Sequence, residues 1–144
     1  MRKVVDSRTL DLFSVPVQST IPGALNLNLE VPGMLSLAIK DSGMDRDVIA
    51  FQMSRLTGDH ISEDMLNAWT AKSKTQWRFP LQYLAAFEVA TGTHLVSHHM
   101  AEKCGGTFLI GADVLQARLG KRLSQKKQLE EEIRDLQKRI SGAV

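Results

Sequence analysis

The sequence predicts an all-α fold: a helix-turn-helix domain preceded by a short β-strand and followed by a coiled-coil helix. Three observations carry that expectation. Apolar residues recur at helical spacing from Met34 to Lys103, and glycines interrupt them at Gly43, Gly58 and Gly92. Gly105-Gly106 then breaks the pattern. Beyond the break, Leu129, Ile133, Leu136 and Ile140 follow one another at the 4-3-4 spacing of a heptad seam.

The chain of 144 residues is long enough to bury a core without disulfides or metals. Its apolar content of 43% and charged content of 24% are those of an ordinary globular protein. Cys104 stands alone, so no intramolecular disulfide can form, which fits a reducing cytoplasm. No apolar run has the length of a membrane span, and Met1 to Leu12 lacks a signal-peptide core. The expected location is therefore cytoplasmic. A net charge of +2 neither requires nor excludes nucleic acid, so the placement of the charges matters.

Residues 1–31 read as an extended arm. Val15-Pro16 and Ile21-Pro22 disfavour helix before each proline. Leu25, Leu27, Leu29 and Val31 alternate with Asn26, Asn28 and Glu30, the period of a half-buried strand. Pro32-Gly33 would end that strand.

Residues 32–106 hold the expected helical domain. Its first helix carries Leu35, Leu37, Ala38 and Ile39 and stops at Asp41-Ser42-Gly43. Asp45 caps a second helix, Arg46 to Thr57, whose apolar face would be Val48, Ile49, Phe51, Met53 and Leu56. After Gly58-Asp59-His60-Ile61, Ser62 caps a third helix reaching Ser73, with Met65, Leu66 and Trp69 turned inward. Pro80 opens a fourth helix closed by Gly92, and a fifth covers Leu95 to Lys103.

Two amphipathic helices around a short turn are the elements of a DNA-reading motif, in which the second helix enters the major groove. Its outer face then offers Asn67, which pairs bidentately with adenine, together with Thr70 and Lys74 for groove contacts. Arg55, Lys72 and Arg78 are the expected phosphate contacts. From Met65 to Phe87 there is no acid over 23 residues, in a chain with 16 acids. Asp59, Glu63 and Asp64 oppose this reading at the start of the third helix, where they also suit a helix N-terminus.

Several runs resemble a known family: Ile49-Ala50, Ile61 to Ala71, Arg78-Phe79-Pro80 through Phe87, and Ala90-Thr91-Gly92. They look like small phage and prophage regulators of the phage CII type. The resemblance spans about residues 34–105. It implies a repressor-like helical fold and a role in transcription regulation. The four-residue turn after a long first helix departs from the tighter repressor turn.

The tail, residues 112–144, reads as an oligomerisation helix with a seam of Leu115, Leu119, Leu129, Ile133, Leu136 and Ile140. Arg122 and Lys126 interrupt the seam. Its first half, Arg118 to Lys127, is basic and acid-free, which suits either a solvated coil surface or a DNA backbone.

Other constellations are weaker. His94, His98, His99 and Cys104 cluster within 11 residues, and His94 and His98 stand one helical turn apart, but no further residue completes a ligand set, so no metal is expected. Asp41, Asp45 and Asp47 fit helix ends better than a calcium loop. No nucleophile elbow, phosphate loop or zinc-protease motif occurs, so neither catalysis nor a cofactor is expected. Trp77, in the basic linker, suits either ligand contact or packing. The expected partners are double-stranded DNA and further copies of the chain, without a membrane. A coiled-coil assembly or adaptor protein with no nucleic-acid role is the alternative.

Overall fold

The computed structural model describes residues 16–143. Six α-helices follow one another: α1 Glu30–Ser42, α2 Arg46–Thr57, α3 Glu63–Thr70, α4 Leu84–Thr91, α5 Leu95–Lys103 and α6 Ala112–Gly142. A 3-10 turn, Leu81–Tyr83, leads into α4. The chain divides into two units after Phe108. The first holds α1 to α5 and the second holds α6.

Each helix of the first unit contributes a narrow apolar stripe to one core. Leu35, Ala38 and Ile39 of α1 share a face by their three- and four-residue spacing. Ile49, Ala50 and Met53 come from α2, Leu66 and Trp69 from α3, Ala86, Phe87 and Ala90 from α4, and Val96 from α5. Phe87, Leu35, Ile49, Met53 and Leu66 are the largest side chains fully withdrawn from water. At roughly 1.5–3 kcal/mol for each such side chain, this cluster dominates the stability of the unit.

The helix ends follow from local chemistry. Gly43, Gly58 and Gly92 each close a helix with positive φ, a conformation that costs glycine little. Ser62 Oγ accepts from Met65 N at 3.2 Å and caps α3. The N-terminus of α5 is capped from another helix. Glu88 of α4, only 4% exposed, accepts from Ser97 N at 2.8 Å and from Ser97 Oγ at 2.7 Å. Its second oxygen also lies 3.2 Å from His94 Nδ1. A buried carboxylate is tolerated here because it has these partners and faces the positive end of a helix.

Three sequence expectations need correction. The described residues contain no strand. Residues 21–25 form turns, and α1 already starts at Glu30, four residues before Met34. Pro32 does not end an element; it sits in the first turn of α1, where the missing N–H costs nothing. Among the described residues, the alternation of Leu25 to Val31 has no strand to pair with. Next, α3 ends at Thr70 and not at Ser73. Finally, Val48, Phe51 and Leu56 lie outside the core face of α2, with Phe51 63% exposed. Ile49, Ala50 and Met53 already fill the stripe that a helix of this width can bury. The part of the expected arm within residues 1–15 lies outside the described residues. At Gly105 the backbone of Pro16 and Gln18 approaches closely: a Cβ there would lie 3.2 Å from Gln18 N and 3.3 Å from Pro16 O, tighter than an ordinary contact.

In the second unit, α6 is a single helix of 31 residues. Leu115, Leu119, Leu123, Leu129, Ile133, Leu136 and Ile140 are all exposed along it. No described helix is long and apolar enough to cross a membrane.

Candidate nucleic-acid interface

The turn between α2 and α3, residues 58–62, is tightly held. Ser54 Oγ accepts from Ile61 N at 2.9 Å and lies within donating distance of Ile61 O and Ala50 O. Ile61 is itself buried, so the turn is pinned by both polar and apolar contacts. Asp59, in the same turn, accepts from Tyr83 Oη at 2.9 Å. That hydrogen bond to the carboxylate holds the Tyr83 hydroxyl above the ordinary phenol range, with burial and the nearby charge adding to it.

On α3, Leu66, Ala68 and Trp69 are buried, while Glu63, Asp64 and Asn67 face water. The Asn67 side chain is thus open to a ligand. Thr70 is engaged within the fold. Its hydroxyl lies 2.9 Å from Leu66 O as donor and accepts from Arg46 Nη1 at 2.9 Å. Ser36 Oγ adds a long hydrogen bond to Thr70 O, so the end of α3 is tied to both α1 and α2.

The cations lie beyond the helix. Residues 71–78 form a loop of two successive turns, closed by Lys74 N to Ala71 O at 3.1 Å and Trp77 N to Lys74 O at 3.0 Å. An aromatic pair clamps the base of the loop: Trp69, just before it, meets Phe79, just after it, edge-on at 5.2 Å. Phe79 in turn meets Phe87 at 5.6 Å, which roots the clamp in the core. Lys72, Lys74, Trp77 and Arg78 are all exposed, Trp77 by 61%.

The loop forms one wall of a cavity of about 220 Å³. Leu27, Val31 and Pro32 line the other wall. Lys72, Lys74, Arg78 and Trp77 all contribute to it, and no carboxylate does. Lys72 reaches back over the first turns of α1, so that a Cβ at Gly33 would lie 3.3 Å from its Cε. Of the cations expected to hold phosphate, the fold gathers Lys72 and Arg78 here and adds Lys74. Arg55 stays apart in the last turn of α2, where the helix dipole favours a cation in any case. The sequence contains no signal that Leu27, Val31 and Pro32 would form the opposite wall.

The histidines go separate ways. His94 faces Glu88, His99 Nε2 lies 2.6 Å from Glu30 Oε2, and His98 stands edge-on to Phe108 at 5.1 Å. Among the described residues no three His, Cys, Asp or Glu side chains gather as a metal would require. Cys104 is exposed.

Comparison with protein-family models, curated proteins and solved structures finds no match to this chain.

Proposed function

We propose that this protein is a sequence-specific, double-stranded DNA-binding regulator that acts as an oligomer, of the kind found in phages and prophages. The observation that carries the reading is the acid-free basic loop directly after α3. Lys72, Lys74 and Arg78 lie together there, beside a helix whose exposed face presents Asn67. Phosphate contacts supply most of the affinity of such proteins, and base contacts supply the specificity.

In this reading Asn67 reads a base edge and Lys74 enters or flanks the groove. Lys72 and Arg78 hold phosphates, and Arg55 is an outlying contact. Thr70 serves the fold, since both its proton and an acceptor site are used internally. Asp59 weighs less against DNA than its charge suggests, because Tyr83 satisfies one of its oxygens. Glu63 and Asp64 remain exposed in the first turn of α3, where they stabilise the helix end. They orient any duplex so that its phosphates meet the loop and not the start of α3. The α6 seam of Leu115, Leu119, Leu129, Ile133, Leu136 and Ile140 joins copies and raises avidity.

The test is selection of bound sequences from a random duplex pool by the full chain. Enrichment of a common site supports the reading. A pool without enrichment, together with no retention of duplex at low salt, leaves an assembly or adaptor role instead.

A further inference from the structure

The geometry points to a second copy of this chain as the occupant of the exposed α6 seam, paired antiparallel. This rests on the reading that α6 self-associates and deepens it by fixing the direction of the partner. The seam positions, at alternating spacings of four and three, are Leu115, Leu119, Arg122, Lys126, Leu129, Ile133, Leu136 and Ile140. The two cationic positions lie in its middle, and the apolar positions lie at both ends.

A parallel pair sets every residue level with its own copy. Arg122 would face the partner's Arg122, and one turn on, Lys126 would face the partner's Lys126. Two adjacent seam layers would each hold a pair of like charges withdrawn from water, with no carboxylate in a seam position. An antiparallel pair removes both layers. Leu115 then meets the partner's Ile140, Leu119 the partner's Leu136, Arg122 the partner's Ile133, and Lys126 the partner's Leu129. Each such layer joins the two kinds of seam position, as antiparallel coils require.

Charge complementarity points the same way. The segment Arg118 to Lys127 is basic and acid-free, while Glu130, Glu131, Glu132 and Asp135 all lie in the other half of the helix. Antiparallel pairing lays one half over the other. From its seam position Arg122 reaches the flank holding the partner's Glu130, and Lys126 reaches the flank holding the partner's Glu132. In the single chain, Lys126 Nζ lies 3.6 Å from its own Glu130, but both side chains are largely exposed and free to exchange partners. One like pair opposes this arrangement: Arg118 comes near the partner's Arg139 at each end of the coil. Both stand on the flank in water, where ions screen them. The pairing is two-fold symmetric and closes as a dimer. At 1.5 Å per residue it sets the starts of the two α6 helices about 46 Å apart, more than one turn of DNA.

The full chain carrying Cys104→Ser and Gln116→Cys, with a nitroxide on the new thiol, tests the direction. Removing Cys104 leaves one labelling site. Antiparallel pairing predicts a label-to-label distance of about 35 Å by electron-electron dipolar spectroscopy, from the helix rise. A distance below about 25 Å means parallel pairing and overturns the inference while leaving self-association intact. A monomeric mass without a dipolar signal overturns both. A second measurement is independent of the label. Glu130→Lys with Glu132→Lys weakens the dimer at least about tenfold in sedimentation equilibrium, and adding Arg122→Glu with Lys126→Glu restores it. Failure of that restoration contradicts the antiparallel register.

Discussion

Arg46 at the start of α2 donates from Nη1 to Thr70 Oγ1 at the end of α3, at 2.9 Å. This contact bridges 24 residues and locks α2 and α3 to each other. It also removes Thr70 from the set of side chains free to meet a ligand. Thr70→Val keeps the shape and loses the hydrogen bonds. Because the pair is only part-buried, the expected loss of stability is about 1 kcal/mol, measured by denaturant unfolding. Affinity for a selected duplex stays within about twofold at temperatures where the variant is folded, because Thr70 is structural. A drop of tenfold or more would return Thr70 to the interface.

Glu88 holds the start of α5 from within the core. Glu88→Ala leaves Ser97 N–H and its hydroxyl without their acceptor and opens a buried gap. The expected destabilisation is about 2–3 kcal/mol, from unpaired buried polar groups together with lost packing. Thermal unfolding should therefore shift down by roughly 10 °C or more. Ser97→Ala removes only one of the hydrogen bonds and should cost less.

Glu30 joins the first turn of α1 to α5. The hydrogen bond from His99 lowers its pKa below the ordinary carboxylate range, and Lys103 at 3.4 Å adds to the effect. A carboxyl group with a lowered folded-state pKa binds its proton more readily once the chain unfolds. Its contribution is therefore present above the unfolded carboxyl value of about 4.3 and is lost as pH falls through the folded value. Glu30→Gln should flatten the acid limb of a stability-against-pH curve below about pH 4.5. An unchanged acid limb would show that this contact does not survive in solution.

Gly33 lies within α1 and Gly105 beyond α5, and their substitutions should have opposite effects. At Gly33 a Cβ meets only the flexible end of Lys72, which can swing aside. Gly33→Ala should stabilise the fold by about 0.5–1 kcal/mol through helix propensity while displacing the Lys72 ammonium. At Gly105, φ is +75° and a Cβ meets the backbone of Pro16 and Gln18. Gly105→Ala should destabilise by about 1 kcal/mol or more. Calorimetry on the two variants checks both signs.

The helix ends were the most legible part of the chain, because Gly43, Gly58 and Gly92 stop helices by backbone conformation alone. Ser62 and the span of α5 could be read in the same local way. The start of α1 could not. Alternation over Leu25 to Val31 imitates a strand, and Pro32 looks like a terminator until its first-turn position is known. The outer face of α2 was misread for a related reason: Val48 and Phe51 have the hydropathy of core residues, but tertiary packing selected the neighbouring stripe. At the candidate site, the missing acids between Met65 and Phe87 marked the basic loop in advance. The tie from Arg46 to Thr70 and the wall formed by Leu27, Val31 and Pro32 depend on long-range packing. No spacing rule reports that.

The salt dependence of duplex binding tests the central claim most directly. Affinity of the full chain for a selected duplex is measured across a range of salt concentrations and compared with the Lys72→Ala, Lys74→Ala, Arg78→Ala triple variant. Each phosphate contact releases condensed counterions and steepens the slope of log K against log salt by about 0.9. If the loop holds the backbone, the triple variant loses about 2–3 from that slope and binds at least a hundredfold more weakly at low salt. A variant that remains folded, with the slope and affinity of the parent chain, would contradict DNA binding through this loop.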